Sequence, residues 1–176
     1  MTSPASPVRR GWRRFTAAYA RLLSWLLVAT VAILIVPVTL QIFARFTTFI
    51  PTFIWTEEMA RLMFVWAIML GAMVGIREGT HFEVDLWPKL SVRGQALLRL
   101  FAGAGVLALA IVFLWFGWEF TIDARYRISE LAELPLWMIH VAWPLAGLTW
   151  IVFGGERFLD DLRIATGRWR VGGGAR

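Results

Sequence analysis

The chain has 176 residues, 59% of them hydrophobic, with eleven tryptophans. A soluble domain is about 45–50% apolar, so this is the composition of a multi-pass membrane protein. It has no cysteine and two histidines, which excludes disulfides, a thiolate nucleophile and a Cys metal site and leaves little for an imidazole site. The net charge of +6 does not require nucleic acid, because the arginines gather at the ends of apolar runs, where membrane topology places them.

A hydrocarbon core of about 30 Å needs about 20 apolar residues as a helix. The first run, 22–44, is uncharged and follows a basic segment at 1–21 carrying Arg9, Arg10, Arg13, Arg14 and Arg21. It is too long for the apolar part of a signal peptide, which spans about 7–15 residues and ends in a small-residue cleavage site. It therefore reads as a retained helix, with Pro37 giving a mild kink that neighbouring helices can tolerate. The second run is 57–77. The third, 97–119, is uncharged from Leu100 to Trp118, and the fourth is 134–155. The remainder, 159–176, is an Arg- and Gly-rich tail. The expected fold is all-α: an integral membrane bundle of four transmembrane helices in a domain spanning 22–158, with short interfacial segments.

Fourteen of the eighteen Lys and Arg fall before the first run, from the end of the second run to the start of the third, or after the fourth. Only Arg45, Arg125 and Arg127 fall in the other two loops, and Arg61 lies inside the second run. The positive-inside rule then puts both termini in the cytoplasm. Trp55, Trp115, Trp118 and Trp137 form an outer aromatic belt on this topology, while Trp25 and Trp87 suit the inner one.

The second run has charges at both rims and none between Arg61 and Arg77. Glu57 and Glu58 sit in its first turn, behind Thr56 as an N-cap, where acids meet the positive end of the helix dipole. Arg61 is i+4 from Glu57 and i+3 from Glu58, so either can pair with it. At 100° per residue Glu57, Ala60, Arg61, Phe64, Ala67, Gly71 and Gly75 share a face, with Trp66 opposite. Small residues every fourth position let helices approach closely. That face should point at protein, either another span of this chain or a different subunit. At the other rim Arg77 can pair with Glu78, Glu83 or Asp85. His81, Glu83 and Asp85 alternate with apolar residues, as a chain lying along the interface does. Their i, i+2, i+4 spacing in a loop is a weak metal signal.

Polar groups at membrane depth are few: Thr30, Thr39, Gln41 and Thr149. Intramembrane ionisable residues mark ion and proton paths, and none lies deep here. His81 and His140 belong to opposite rims, which disfavours a bis-histidine haem. There is no nucleophile–base pair and no phosphate loop, so the chain reads as a scaffold rather than an enzyme.

The segment bearing Trp55, Glu57, Glu58, Arg61, Trp66, Gly71, Arg77, Gly79, His81 and Asp85 resembles the small permease subunit, DctQ type, of tripartite ATP-independent periplasmic (TRAP) transporters. The resemblance runs from about Leu22 to Leu162. It implies a non-catalytic subunit in the bacterial inner membrane with no cofactor of its own. Its implied partners are a large permease subunit that holds the sodium and substrate sites, a periplasmic substrate-binding protein, and membrane lipids. It further implies uptake of an organic anion driven by a sodium gradient. Partner-interface or membrane-rim residues would be Glu57, Glu58, Arg61, Ala67, Gly71, Gly75, Arg77, His81 and Asp85. The other readings are a self-sufficient homo-oligomeric transporter, which needs a polar path through a residue such as Gln41, and a membrane anchor for a redox complex, which needs haem ligands.

Overall fold

The computed structural model describes residues 7–47, 53, 55–78, 92–130 and 132–165. Helix α1 spans Pro7–Phe46, α2 Trp55–Glu78 and α3 Val92–Asp123, with a 3-10 turn at Ala124–Tyr126. A short helix α4, Trp137–His140, leads into α5, Ala142–Ala165. These supply the four expected spans: four helices are long and apolar enough to cross a membrane. Among the described residues there is no strand beyond an isolated bridge between Ile128 and Pro135.

The helices outrun the predicted spans. α1 begins at Pro7, deep in the predicted basic segment. Proline suits the first helical position, since its missing N–H is one that no intrahelical acceptor would use. Once that turn is nucleated, Arg and Ala are good helix formers and carry the helix into the apolar run. The helix continues through Pro37 without a break. Two of its hydroxyls serve its own backbone: Ser24 donates to the Ala20 carbonyl (3.0 Å) and Thr30 to that of Leu26 (2.7 Å). The fourth span is interrupted at Val141, between α4 and α5. Pro144 explains the interruption, because it has no N–H for the His140 carbonyl and its ring crowds that carbonyl.

Successive helices alternate in direction. Arg77 at the end of α2 reaches the Thr16 and Ala17 carbonyls near the start of α1. Arg157 near the end of α5 reaches the Arg77 carbonyl. Glu58 at the start of α2 meets Ser129, beyond α3. One rim therefore carries the start of α1 and the end of α5, and is called here the terminal rim. The opposite one, with the α3–α4 loop, is the loop rim.

The four spans form an open row rather than a closed bundle. α1 packs on α2, α2 on α5, and α5 most extensively on α3. Tyr19 of α1 also reaches α5, donating to the Thr149 hydroxyl at 2.8 Å while Thr149 donates to the Leu145 carbonyl at 2.8 Å. Inside the chain 39% of the fourth span's apolar stretch and 28% of α2's is buried, against 6% for α1 and for α3. The middle of the row therefore holds the core: Met69, Leu70, Met73 and Ile76 of α2 and Ala142, Ala146, Trp150 and Phe153 of α5, joined by Ala20 and Leu23 of α1 and Ala110 of α3.

Backbone meets backbone where α3 packs on α5. A Cβ on Gly147 would lie 2.6 Å from the Ala110 carbonyl oxygen and 2.6 Å from the Leu114 nitrogen. One on Gly117 would lie 2.8 Å from Trp143 Cβ and 2.9 Å from the Pro144 nitrogen. Two backbones touch here because neither glycine has a side chain, which is the way apolar helices gain dispersion contacts when lipid offers no hydrophobic driving force. Phe113 fills the space beside them, with ring centroids 5.0 Å from Trp143 and 4.9 Å from Trp150.

Candidate functional site: the two charged rims of the second helix

The acids of α2's first turn have different surroundings. Glu57 is exposed and its carboxylate lies 3.4 Å from the Arg61 guanidinium; those two side chains are 66% and 62% exposed. Glu58, one residue on and turned by 100°, is buried. Its carboxylate accepts from the Ser129 hydroxyl and, at 2.6 Å, from the Ala132 N–H. The α3–α4 loop is thus caught on α2. Within the loop the Ser129 N–H donates to the Leu134 carbonyl (2.9 Å) and the Leu136 N–H to the Arg127 carbonyl (3.0 Å). Closing that turn puts Glu133 at φ 53°, a left-handed conformation uncommon for a residue with a Cβ. A second tether joins α2 to α4, where the Trp66 indole N–H donates to the Met138 carbonyl at 2.9 Å. Between the tethers lies a cavity of about 30 Å³ lined by Glu58, Leu62, Ser129 and Ile139 among others, room for about one water.

Thr56 does not act as the expected N-cap. Its hydroxyl donates backwards, to the Phe53 carbonyl at 2.6 Å, and helix α2 already begins at Trp55. That bond satisfies the preceding chain rather than a free N–H of the first turn.

At the terminal rim Arg77 is half-buried and its described partners are carbonyls rather than acids. One guanidinium nitrogen donates to Thr16 O at 2.9 Å and Ala17 O at 3.4 Å, and the guanidinium lies 5.7 Å from the centre of the Phe153 ring. Gly79, His81, Glu83 and Asp85 lie outside the described residues. Among the described residues no three His, Asp or Glu side chains come together in a way that could hold a metal ion.

The small-residue face of α2 is divided. Gly75 is buried, whereas a Cβ on Gly71 would meet nothing within 4 Å and Phe64 is 57% exposed. The upper part of that face, with Glu57, Arg61, Phe64 and Gly71, is therefore left open by the other helices of this chain. The helix packs inward through Leu62, Met69, Leu70, Met73 and Ile76. Trp55, Trp115, Trp118 and Trp137 are all exposed, at 41–67%, as residues facing the membrane interface are. Two buried polar atoms in the spans have no hydrogen-bond partner among the described residues: the Gln41 amide nitrogen and the Trp150 indole nitrogen.

A helical membrane protein of four spans is the class these features define: apolar spans, charges held at the rims, and two spans left nearly bare. Residues 34–164 match the model of the family described as "Tripartite ATP-independent periplasmic transporters, DctQ component". The chain belongs to this family of small permease subunits and is a multi-pass protein of the bacterial inner membrane. It is 31% identical over 96 residues to the C4-dicarboxylate TRAP transporter small permease protein DctQ of Rhodobacter capsulatus, covering 52% of this chain and 42% of that one. It is 30% identical over 127 residues to the isethionate TRAP transporter permease protein DctMQ of Oleidesulfovibrio alaskensis, covering 69% of this chain and 19% of that one. A putative TRAP transporter small permease protein of Haemophilus influenzae is 28% identical over 95 residues, covering 53% of this chain and 58% of that one. The chain thus spans less than two thirds of the length of each of these relatives.

Proposed function

We propose that this chain is the small, non-catalytic membrane subunit of a sodium-driven TRAP transporter that takes up an organic anion of the carboxylate class. It scaffolds a large permease subunit and helps a periplasmic binding protein dock. The observation that carries the reading is the open row. α1 and α3 keep 94% of their apolar stretches unburied within the chain, and the charged upper face of α2 is uncovered beside them. Such a layer has more surface than its own core needs and serves as one wall of a larger assembly. The isethionate relative supports this, since the part aligned with this chain is 19% of a longer protein.

Both termini face the cytoplasm on this reading, following the distribution of Lys and Arg. The loop rim then faces the periplasm and presents Glu57, Arg61 and the latched Arg127–Leu136 loop to a binding protein. The chain supplies no ion path of its own, because its spans carry no ionisable side chain at mid-depth.

The test is reconstitution in liposomes with the large permease and binding protein encoded beside it. C4-dicarboxylate, isethionate and sialic acid, the substrates in the relatives' names, are offered in turn. Uptake should need an inward sodium gradient and should vanish when this chain is left out. Flux by this chain alone would refute the scaffold role, and flux unaffected by dissipating the sodium gradient would refute the coupling.

A further inference from the structure

At the terminal rim, α1, α2 and α5 diverge around a pocket of about 310 Å³, lined among the described residues by Arg13, Thr16, Arg77, Phe153, Glu156, Arg157 and Asp160. At roughly 30 Å³ per water it holds the volume of about ten. Its walls carry three guanidiniums and two carboxylates, a mixture that suits neither a bare anion nor a bare cation. Two of the guanidiniums are anchored: Arg77 on the Thr16 and Ala17 carbonyls, and Arg157 on the Arg77 carbonyl at 2.7 Å. Each keeps further N–H groups, since a guanidinium has five. The side chains of Arg13 and Glu156 make no hydrogen bond or ion pair with a described residue. The pocket thus offers a fixed positive floor, with one cation and one anion at its wall that no described residue engages.

An aromatic run leads to it. Trp12, 47% exposed, and Phe15, 61% exposed, lie 6.0 Å apart by ring centroid. Phe15 stacks on Tyr19 at 6.5 Å, and Tyr19 meets Phe153 of the pocket wall at 5.8 Å. Exposed aromatics on a spanning helix mark the level of lipid headgroups, and basic pockets between spanning helices are where phosphate headgroups bind.

We propose that this pocket binds a phosphodiester bearing a nearby ammonium, the chemistry of a phosphatidylethanolamine headgroup. The phosphate sits against Arg13, Arg77 and Arg157, and the ammonium turns to Glu156. A phosphatidylglycerol headgroup has the phosphate without the ammonium. A phosphatidylcholine headgroup has the charge without the N–H donors. The site distinguishes both from phosphatidylethanolamine.

The experiment is native mass spectrometry of the delipidated full-length chain, titrated separately with phosphatidylethanolamine, phosphatidylglycerol, phosphatidylcholine and soluble glycerophosphoethanolamine. Phosphatidylethanolamine should bind most tightly. One guanidinium near a phosphate is worth ~1 kcal/mol, so Arg13→Gln should weaken it about fivefold. Glu156→Gln should erase the preference over phosphatidylglycerol while phosphatidylglycerol binding stays or rises. Both side chains lack described partners, so neither variant disturbs the packing. Circular dichroism and gel filtration confirm this, and if one variant fails to fold the other carries the test. Equal binding of the three lipids, or lipid binding unchanged by both substitutions, overturns the proposal. Glycerophosphoethanolamine binding as tightly as the lipid keeps the phosphate–ammonium chemistry but overturns the membrane source.

Discussion

Replacing Gly147 by alanine adds one methyl group at the point where α5 lies on α3. That carbon would stand 2.6 Å from the Ala110 carbonyl oxygen and the Leu114 nitrogen, and 3.1 Å from Leu114 Cα. It falls about 0.8 Å short of the 3.4 Å at which ordinary contact begins. All three neighbours are backbone, so no rotamer change relieves the clash and the helices must separate. A gap of 0.5–1 Å forfeits roughly a quarter to a half of each dispersion contact across it. Ala110, Ala142 and Ala146 are completely buried in this seam and lose contacts with it. Overpacking of this kind costs about 1–3 kcal/mol, and nothing along the seam offsets it. Gly155 is the control: it lies in the same helix, and a Cβ there would meet nothing within 4 Å. Alanine at 155 should be neutral or stabilising by roughly 0.5–1 kcal/mol, the helix-propensity gain. The assay is unfolding of the purified chain in mixed micelles by rising sodium dodecyl sulfate, followed by far-UV circular dichroism and tryptophan fluorescence. Gly147→Ala should unfold at clearly lower detergent fraction than wild type, and Gly155→Ala should not. Equal midpoints for the two variants would refute the close-contact account of the α3–α5 seam.

Four further outcomes are expected. Glu58→Ala strands the Ala132 N–H and the Ser129 hydroxyl, a loss of about 1–3 kcal/mol. Hydrogen exchange at Ala132 should quicken roughly 5- to 150-fold, and unchanged exchange would disprove the latch. Glu57→Gln or Arg61→Gln should shift the unfolding midpoint by less than ~1 kcal/mol, since the pair is mostly exposed; a larger shift would mean the pair is structural. A Cβ at Gly71 would meet nothing within 4 Å, so Gly71→Leu should leave the isolated protein folded while weakening recovery of a large-subunit complex about tenfold. Recovery equal to wild type would place the partner on another face. Glu133→Gly removes a left-handed residue bearing a Cβ and should stabilise the loop by ~1 kcal/mol; a destabilised variant would show that the Glu133 side chain is needed there.

The spans were legible because lipid imposes a length and a composition that no other environment demands. Their ends were not, because helix formation follows propensity and capping rather than hydropathy: α1 starts at Pro7 and α3 at Val92, each well before its apolar run. The spacing of four singles out the glycines of α2, yet the tight backbone contact between α3 and α5 involves Gly117 and Gly147. A signal for it was present in Gly103, Ala110 and Gly117, which recur every seventh residue of α3 and so share one face. Glu57 and Glu58 looked alike as first-turn acids. Glu58 belongs to the series Leu62, Val65, Met69, Met73 and Ile76, the buried or half-buried stripe of α2, and that periodicity separates it from its exposed neighbour. Ser129 and Ala132 could not be read as its partners, since they lie more than seventy residues away and meet it only through the way α3 folds back.

Whether the open row is one wall of a larger assembly is tested most directly by purifying the tagged chain in mild detergent after co-expression with the reading frames beside it. One large, highly hydrophobic partner should be recovered in equal amount, with α1 and α3 protected from hydrogen exchange in the complex. A homogeneous oligomer of this chain alone, with no such partner, would contradict the scaffold role.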